Sequence, residues 1–345
     1  MKKKSFAILT GVLLVLILTT VAVMQQRTQE SLAADEAGKP FLSGFSERVN
    51  DVARVTLTKG RQTLTVERRD GQWRVAQHHG YPADFNHVRQ LLLALGELKT
   101  VEAKTRRPEN YPRLDVQDAG EGSNSLQLDV YDAQKKPLAS LIVGRLVSGQ
   151  SPGGEAAHFV RKAGDAQVWL VAGRLEPDPT EKNWLDKTIV DLAKERVRHV
   201  VITQPDKSRV ELVREKPADA NFTMANLPVG KSLRSASATN GIAAALANLR
   251  MESVQSAEGF AWDEKKASKA EFETFDGLRL KVAVLDSGQH HYLRLTAEPE
   301  QAAADHADAI QREVQAINDR TGAWVYEISA GKAETLGRKQ GDLVL

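Results

Sequence analysis

The second half of this chain echoes the first, and that duplication constrains the fold more than any single residue, because whatever one half builds the other has to build again. VARVTLTKGRQTLTVERR, starting at Val52, matches VRHVVITQPDKSRVELVR, starting at Val197. Each is a pair of runs rich in β-branched residues around a polar turn, the signature of a hairpin. Trp73 then lines up with Phe222 at the start of a third strand. ALGELKTVEAK from Ala94 matches ALANLRMESVQ from Ala245, LQLDVYD from Leu126 matches LRLKVAVLD from Leu278, and AQVWLVAGRLE around Trp169 matches GAWVYEISAGKAE around Trp324. The blocks keep one order in both halves, and 345 residues exceed what one core usually encloses. We therefore expect two units, over residues 52–195 and 196–345, the second a divergent repeat of the first.

Within the first unit the clearest helix begins after Asp84, a good N-cap, and places Val88, Leu91, Leu92, Leu95 and Leu98 on one face. Its counterpart starts near Thr239 or Asn240, both acceptable caps, and carries Ile242, Leu246 and Leu249. Strand patterns alternate, as in Leu126, Leu128 and Val130, so one sheet face is buried and the other is polar. NWLDKTIVDLAKERV from Asn183 reads as a connecting helix with Trp184, Leu185, Ile189 and Leu192 on one side. An alanine-rich helix over 300–319 is inserted where the first unit has the loop VSGQSPGGEAA. The expected fold class is α+β: tandem repeated units of antiparallel sheet with packed helices, behind an N-terminal single transmembrane helix.

That helix is FAILTGVLLVLILTTVAVM, residues 6–24, free of charge. At about 1.5 Å per helical residue it spans the roughly 30 Å hydrocarbon core. Lys2, Lys3 and Lys4 precede it, so residues 1–5 are expected to stay cytoplasmic and the body to be exported, periplasmic or otherwise extracytoplasmic, from the inner membrane. A cleaved signal peptide is the rival reading, with Ser31 and Ala33 offering a small-x-small site, although far beyond the apolar run. Residues 25–50 are polar and read as a tether. Cysteine is absent, which excludes disulfides, Cys-ligated metals and lipid attachment through cysteine. Removing the three leading lysines from 47 basic residues leaves 44 against 45 acidic ones. A near-neutral body with no basic stripe argues against nucleic acid as a partner.

No catalytic, cofactor-binding or metal-binding residue is assigned. Gly149-Gln150-Ser151-Pro152-Gly153 matches the G-x-S-x-G nucleophile elbow, but HFVRK after it reads as a strand where the elbow needs a helix. His78-His79 and His290-His291 are adjacent pairs whose side chains point apart on a strand, so neither chelates one ion readily. His306 and Asp305 on the inserted helix lack a third ligand. Phosphate-loop and dinucleotide fingerprints are missing, so no nucleotide is expected. Trp73, Trp169, Trp184 and Trp324 sit in apolar patterns and read as core; Trp262, in GFAWDEKK, is the least explained.

DGQW at Asp70 to Trp73, GYPAD at Gly80 to Asp84 and the helix ending LLLALGELK together resemble the domain-of-unknown-function 4340 family. LIVGR (Leu141 to Arg145), HFVRKAGDAQVWLV (His158 to Val171) and NWLDKTIVDL (Asn183 to Leu192) are similar to its downstream pattern. The resemblance implies a membrane anchor and a non-enzymatic accessory or scaffold role beside an ABC-type transport system related to gliding-motility auxiliary proteins. Its implied partners are a permease, an ATPase and another anchored extracytoplasmic protein. An anchored module for cell-envelope glycan or lipid, using Trp262 or Trp73, is the alternative expectation, and a hydrolase using Ser151 the third.

Overall fold

A computed structural model of the chain describes Thr20 and residues 36–149, 154–300 and 306–345. The expected membrane helix over 6–24, Thr20 apart, the tether up to residue 35, Ser151 and Asp305 lie outside the described residues. Among the described residues no helix is long and apolar enough to cross a membrane. The fold is α+β, with antiparallel sheets and few helices, and it divides into Met1–Asp186 and Lys187–Leu345.

The first unit opens with β1 (Val52–Lys59), β2 (Gln62–Arg69) and β3 (Gln72–Val75). Asp70 and Gly71 link β2 to β3 at φ of 51° and 78°, the left-handed pair that a twisted two-residue hairpin needs. β4 (Tyr81–Pro82), helix α1 (Phe85–Glu97) and β5 (Lys99–Thr105) follow. A meander completes the unit: β6 (Leu126–Asp132), β7 (Pro137–Val147), β8 (Ala157–Lys162) and β9 (Val168–Ala172). The sheet order is β4-β3-β2-β1-β6-β7-β8-β9-β5.

Helix α1 starts because the Asp84 carboxylate accepts from the backbone N–H of Asn86 at 2.9 Å and of His87 at 3.3 Å. It buries Val88, Leu91, Leu92 and Leu95. Removing the cap in Asp84→Ala is expected to lower stability by about 1 kcal/mol. The check is a shifted urea midpoint with an unchanged denaturant slope.

The second unit contains β11 (Val197–Thr203), β12 (Arg209–Val213), β13 (Thr223–Met224), helix α2 (Ala236–Ala243) and β15 (Ser253–Ser256). Then come β16 (Ser268–Thr274), β17 (Leu278–Ser287), β18 (His290–Pro299), helix α3 (Ala307–Thr321) and β19 (Trp324–Glu327). Its sheet runs β13-β12-β11-β16-β17-β18-β19-β15, the order of the first unit without a β4 equivalent. Even a bulge recurs, between Val52 and Arg54 in β1 and between Val197 and His199 in β11. That shared irregularity fixes residue equivalence between the units.

Several expectations need correction. By strand pairing β6 corresponds to β16 and β7 to β17, so the match of LQLDVYD with LRLKVAVLD is one strand out of step. Period-2 alternation is the same in every strand of a meander, so neighbours are easily exchanged. The same slip misplaced the inserted helix. Helix α3 lies between β18 and β19, where the first unit has the tight turn after Lys162, and not at VSGQSPGGEAA. A bidentate pair from Arg196 to Glu313, at 2.8 and 2.9 Å, holds α3, and the Asn318 amide bonds both the N–H and the C=O of Ala297 at 2.8 Å.

The connecting helix is absent. Residues 181–183 and 194–196 form single 3-10 turns around β10 (Thr188–Val190), which pairs with β14 (Leu249–Arg250) of the second unit. Trp184, Leu185, Ile189 and Leu192 are nevertheless buried, because β-branched Thr188-Ile189-Val190 serves a strand as well as the spacing serves a helix. The strip 187–195 thus belongs with the second unit. Ser235, not Thr239 or Asn240, caps α2 by accepting from the Ala238 N–H. Thr239 Oγ1 instead donates to Phe222 C=O at 3.0 Å, and Asn240 Oδ1 accepts from Phe222 N–H at 3.1 Å, tying α2 to β13.

Candidate functional site

Directly paired residues of neighbouring strands put their side chains on the same face. In the second unit that rule lines Thr203, Lys269, Ala283 and Arg294 across β11, β16, β17 and β18, with Val201, Glu271, Lys281 and Thr296 in the next row. This is the polar face of the sheet; Ile202, Ala270, Val282 and Leu295 are buried on the other. The β15–β16 connection, residues 257–267, crosses the polar face and leaves a groove of about 680 Å³ lined by Arg294, Ala283, Lys281, Glu271, Glu258 and Trp324 among others.

Arg294 is the central cation of the groove. Its guanidinium lies 4.6 Å above the Trp262 ring, and Trp262 is in turn steadied by Phe260, which packs edge-on to Tyr292 at 4.8 Å. Lys269 and Lys281 are neutralised by Glu264 at 3.0 Å and Glu298 at 2.6 Å. Among the described residues Arg294 has no ion pair, and both its Nε–H and the Trp262 Nε1–H are covered without an acceptor. Buried donors left this way cost about 1–3 kcal/mol each, and they sit beside a groove whose lining also carries the carboxylates of Glu258 and Glu271.

Elsewhere on the same face the charged groups pair with one another, although Arg279 Nε and Glu300 Oε2 are covered without a partner among the described residues. Glu273 accepts from His199 at 3.0 Å, from Arg198 at 3.2 Å and from Arg279 at 2.9 Å, and both arginines also reach Glu300. Burial pushes the Glu273 carboxyl up, but the His199 hydrogen bond and the two guanidinium charges outweigh it and hold its pKa below the usual value. This lattice is a solvated, self-compensated face rather than a site.

In the first unit His158 is the unusual titratable group. It is 5% exposed, and neither ring nitrogen has a well-aligned partner among the described residues. Burial lowers its pKa, offset only in part by the backbone of Gly144 and Leu175 and by the charge of Glu176. An unfolded histidine titrates near about 6.5. The unfolded chain therefore binds the proton more readily, so stability is full above that value and falls as pH drops below it towards the lower folded pKa. Urea midpoints measured between pH 8 and pH 5.5 are expected to show this loss, and His158→Phe to flatten it.

The sequence-level candidates distribute as follows. His290 pairs with Glu327 and His291 with Asp286, each at 2.6 Å, and His78 lies 3.5 Å from Glu181, so adjacent histidines serve separate carboxylates. Among the described residues no group of three or more His, Cys, Asp or Glu is placed to hold a metal ion. Trp73, Trp184 and Trp324 are buried, Trp169 and Trp262 half-buried. Trp73 is thereby withdrawn as a glycan platform. Arg294 escaped the sequence reading, although its signal was present: HYLR at His291 repeats HFVR at His158.

The family model described as Domain of unknown function (DUF4340) matches residues 73–274, from β3 of the first unit through β16 of the second. The chain belongs to that family. No curated protein and no solved structure matches.

Proposed function

We propose, with this family membership as premise, that the protein is a non-enzymatic accessory subunit of an ABC-type transport system, anchored in the inner membrane by residues 6–24 with its body on the extracytoplasmic side. The observation that carries the reading is one antiparallel sheet order built twice, with a groove on the polar face of the second unit. Such a body presents surface to partners, and a membrane tether raises its local concentration beside a permease, an ATPase and a second anchored protein. Purification of the full chain from mild detergent is expected to recover a permease and an ATPase. Recovery of neither overturns this reading.

A cell-envelope glycan-binding module is the second reading, favoured by the groove and the Trp324 in its lining. Trp262 contributes less than the sequence promised, since one face of its ring is occupied by Arg294. A glycan pull-down with Trp324→Ala as control separates the two.

A further inference from the structure

The bulge shared by β1 and β11 makes Thr58 equivalent to Thr203, and strand pairing then carries the equivalence outwards. Thr58, Gln127, Ile142 and Arg161 form the row in the first unit that Thr203, Lys269, Ala283 and Arg294 form in the second. Arg161 and Arg294 therefore hold the same place, and each lies over an aromatic ring from the connection that follows β5 or β15: Tyr111 at 4.8 Å, Trp262 at 4.6 Å. One arginine-on-aromatic device has been kept in both units.

What differs is how the device is filled. In the first unit residues 111–118 settle onto the sheet, and Arg161 is 5% exposed with every nitrogen bonded: Nε to Val116 C=O at 3.1 Å, Nη1 to Asp165 C=O at 3.0 Å, and Nη2 to the Asp118 carboxylate. Ile142 closes the space beneath. Gly144 lets the segment approach, since a Cβ there would stand 2.3 Å from Leu114 C=O. The second unit has Ala283 for Ile142 and Leu285 for Gly144, so the floor is lower and the connection is held off. The result is the groove, with Arg294 in its lining, where the Arg294 Nε–H and the Trp262 indole N–H have no acceptor among the described residues.

The first unit thus shows what fits this device: polypeptide, offering a backbone carbonyl and a carboxylate to one planar guanidinium. We propose that the groove of the second unit binds a peptide segment of a partner protein, clamped by Arg294 through a carboxylate on that segment. This deepens the accessory-subunit reading by naming how the body grips a partner, and its chemistry can be tested without the transport assembly.

The probe is the capped peptide acetyl-Asp-Val-Gln-Asp-Ala-Gly-amide, which copies Asp115 to Gly120, titrated calorimetrically into the purified full chain. One saturable site is expected. A twin peptide with asparagine at the position copying Asp118 is expected to bind at least about tenfold more weakly, as is the original peptide to Arg294→Gln. Ala283→Ile restores the side chain the first unit already carries and is expected to abolish binding without lowering stability. If that variant does not fold, Arg294→Gln alone decides. Absence of binding, equal binding to Ala283→Ile or Arg294→Gln, acetate competing as well as the peptide, or chitotetraose bound in the peptide's stead each overturns the proposal. Those failures leave co-purification with a permease untouched, and failed co-purification leaves the titration untouched.

Discussion

Arg161→Ala is expected to destabilise the first unit by about 3 kcal/mol, whereas Arg294→Ala in the second costs less than about 1 kcal/mol. The two arginines share a topological position, so the difference isolates what surrounds them. Breaking a buried ion pair outright costs about 3–5 kcal/mol because an unpaired charge stays behind. That figure is too high here, since Asp118 is 86% exposed on its side chain and returns to water when its partner goes. What remains is the loss of the donor to the Val116 carbonyl, about 1–3 kcal/mol, and the void left by a side chain packed against Tyr111. Arg161→Met refills part of the void and restores no hydrogen bond, so it is expected midway, near 1.5–2 kcal/mol. Arg294 makes no hydrogen bond among the described residues and lines a groove it can relax into. Urea unfolding of the three variants ranks them directly, and an Arg294→Ala cost equal to that of Arg161→Ala would refute the contrast between a filled and an open device.

The duplication was legible because strands and their turns leave local marks. β-branched runs, the polar turn between the first two of them and the Asp84 cap each have a local physical cause, and each falls where it was read. Neighbouring strands of a meander were not separable on the same terms, since alternation carries no label for which strand is which. HFVR and HYLR would have supplied the label, because an arginine inside an otherwise apolar strand needs a specific partner. Residues 183–197 were misread for a related reason: Trp184, Leu185, Ile189 and Leu192 satisfy helical spacing, and only pairing with β14 decides for strand. The groove was invisible for a deeper reason. It arises from two small differences, Ala283 for Ile142 and Leu285 for Gly144, whose meaning appears only once the two sheets are matched residue by residue.

Gly144→Ala is expected to cost about 3 kcal/mol, the upper end of what overpacking usually costs. A Cβ at this position would lie 2.3 Å from Leu114 C=O, 2.6 Å from Val116 Cγ1 and 2.8 Å from Asp115 C=O. Two of the three obstacles are backbone, which cannot swing aside as a side chain does. The segment is also pinned, with Asp115 at φ 56° and the Val116 N–H bonded to Tyr111 C=O at 3.1 Å. It must therefore lift as a piece, taking the Val116 carbonyl away from Arg161 and opening the cluster of Tyr111, Ile142, Phe159 and Leu170. Because that displacement already breaks what Arg161→Met breaks, the double variant is expected to fall short of the sum of the singles by about 1–2 kcal/mol. Strict additivity would mean that Gly144 and Arg161 act separately, and the close approach would lose its role in distinguishing the closed first unit from the open second one. Gly144 stands in the LIVGR run and Arg161 in the HFVRK run. On this account those two runs are a glycine that admits a segment of chain and an arginine that holds it there.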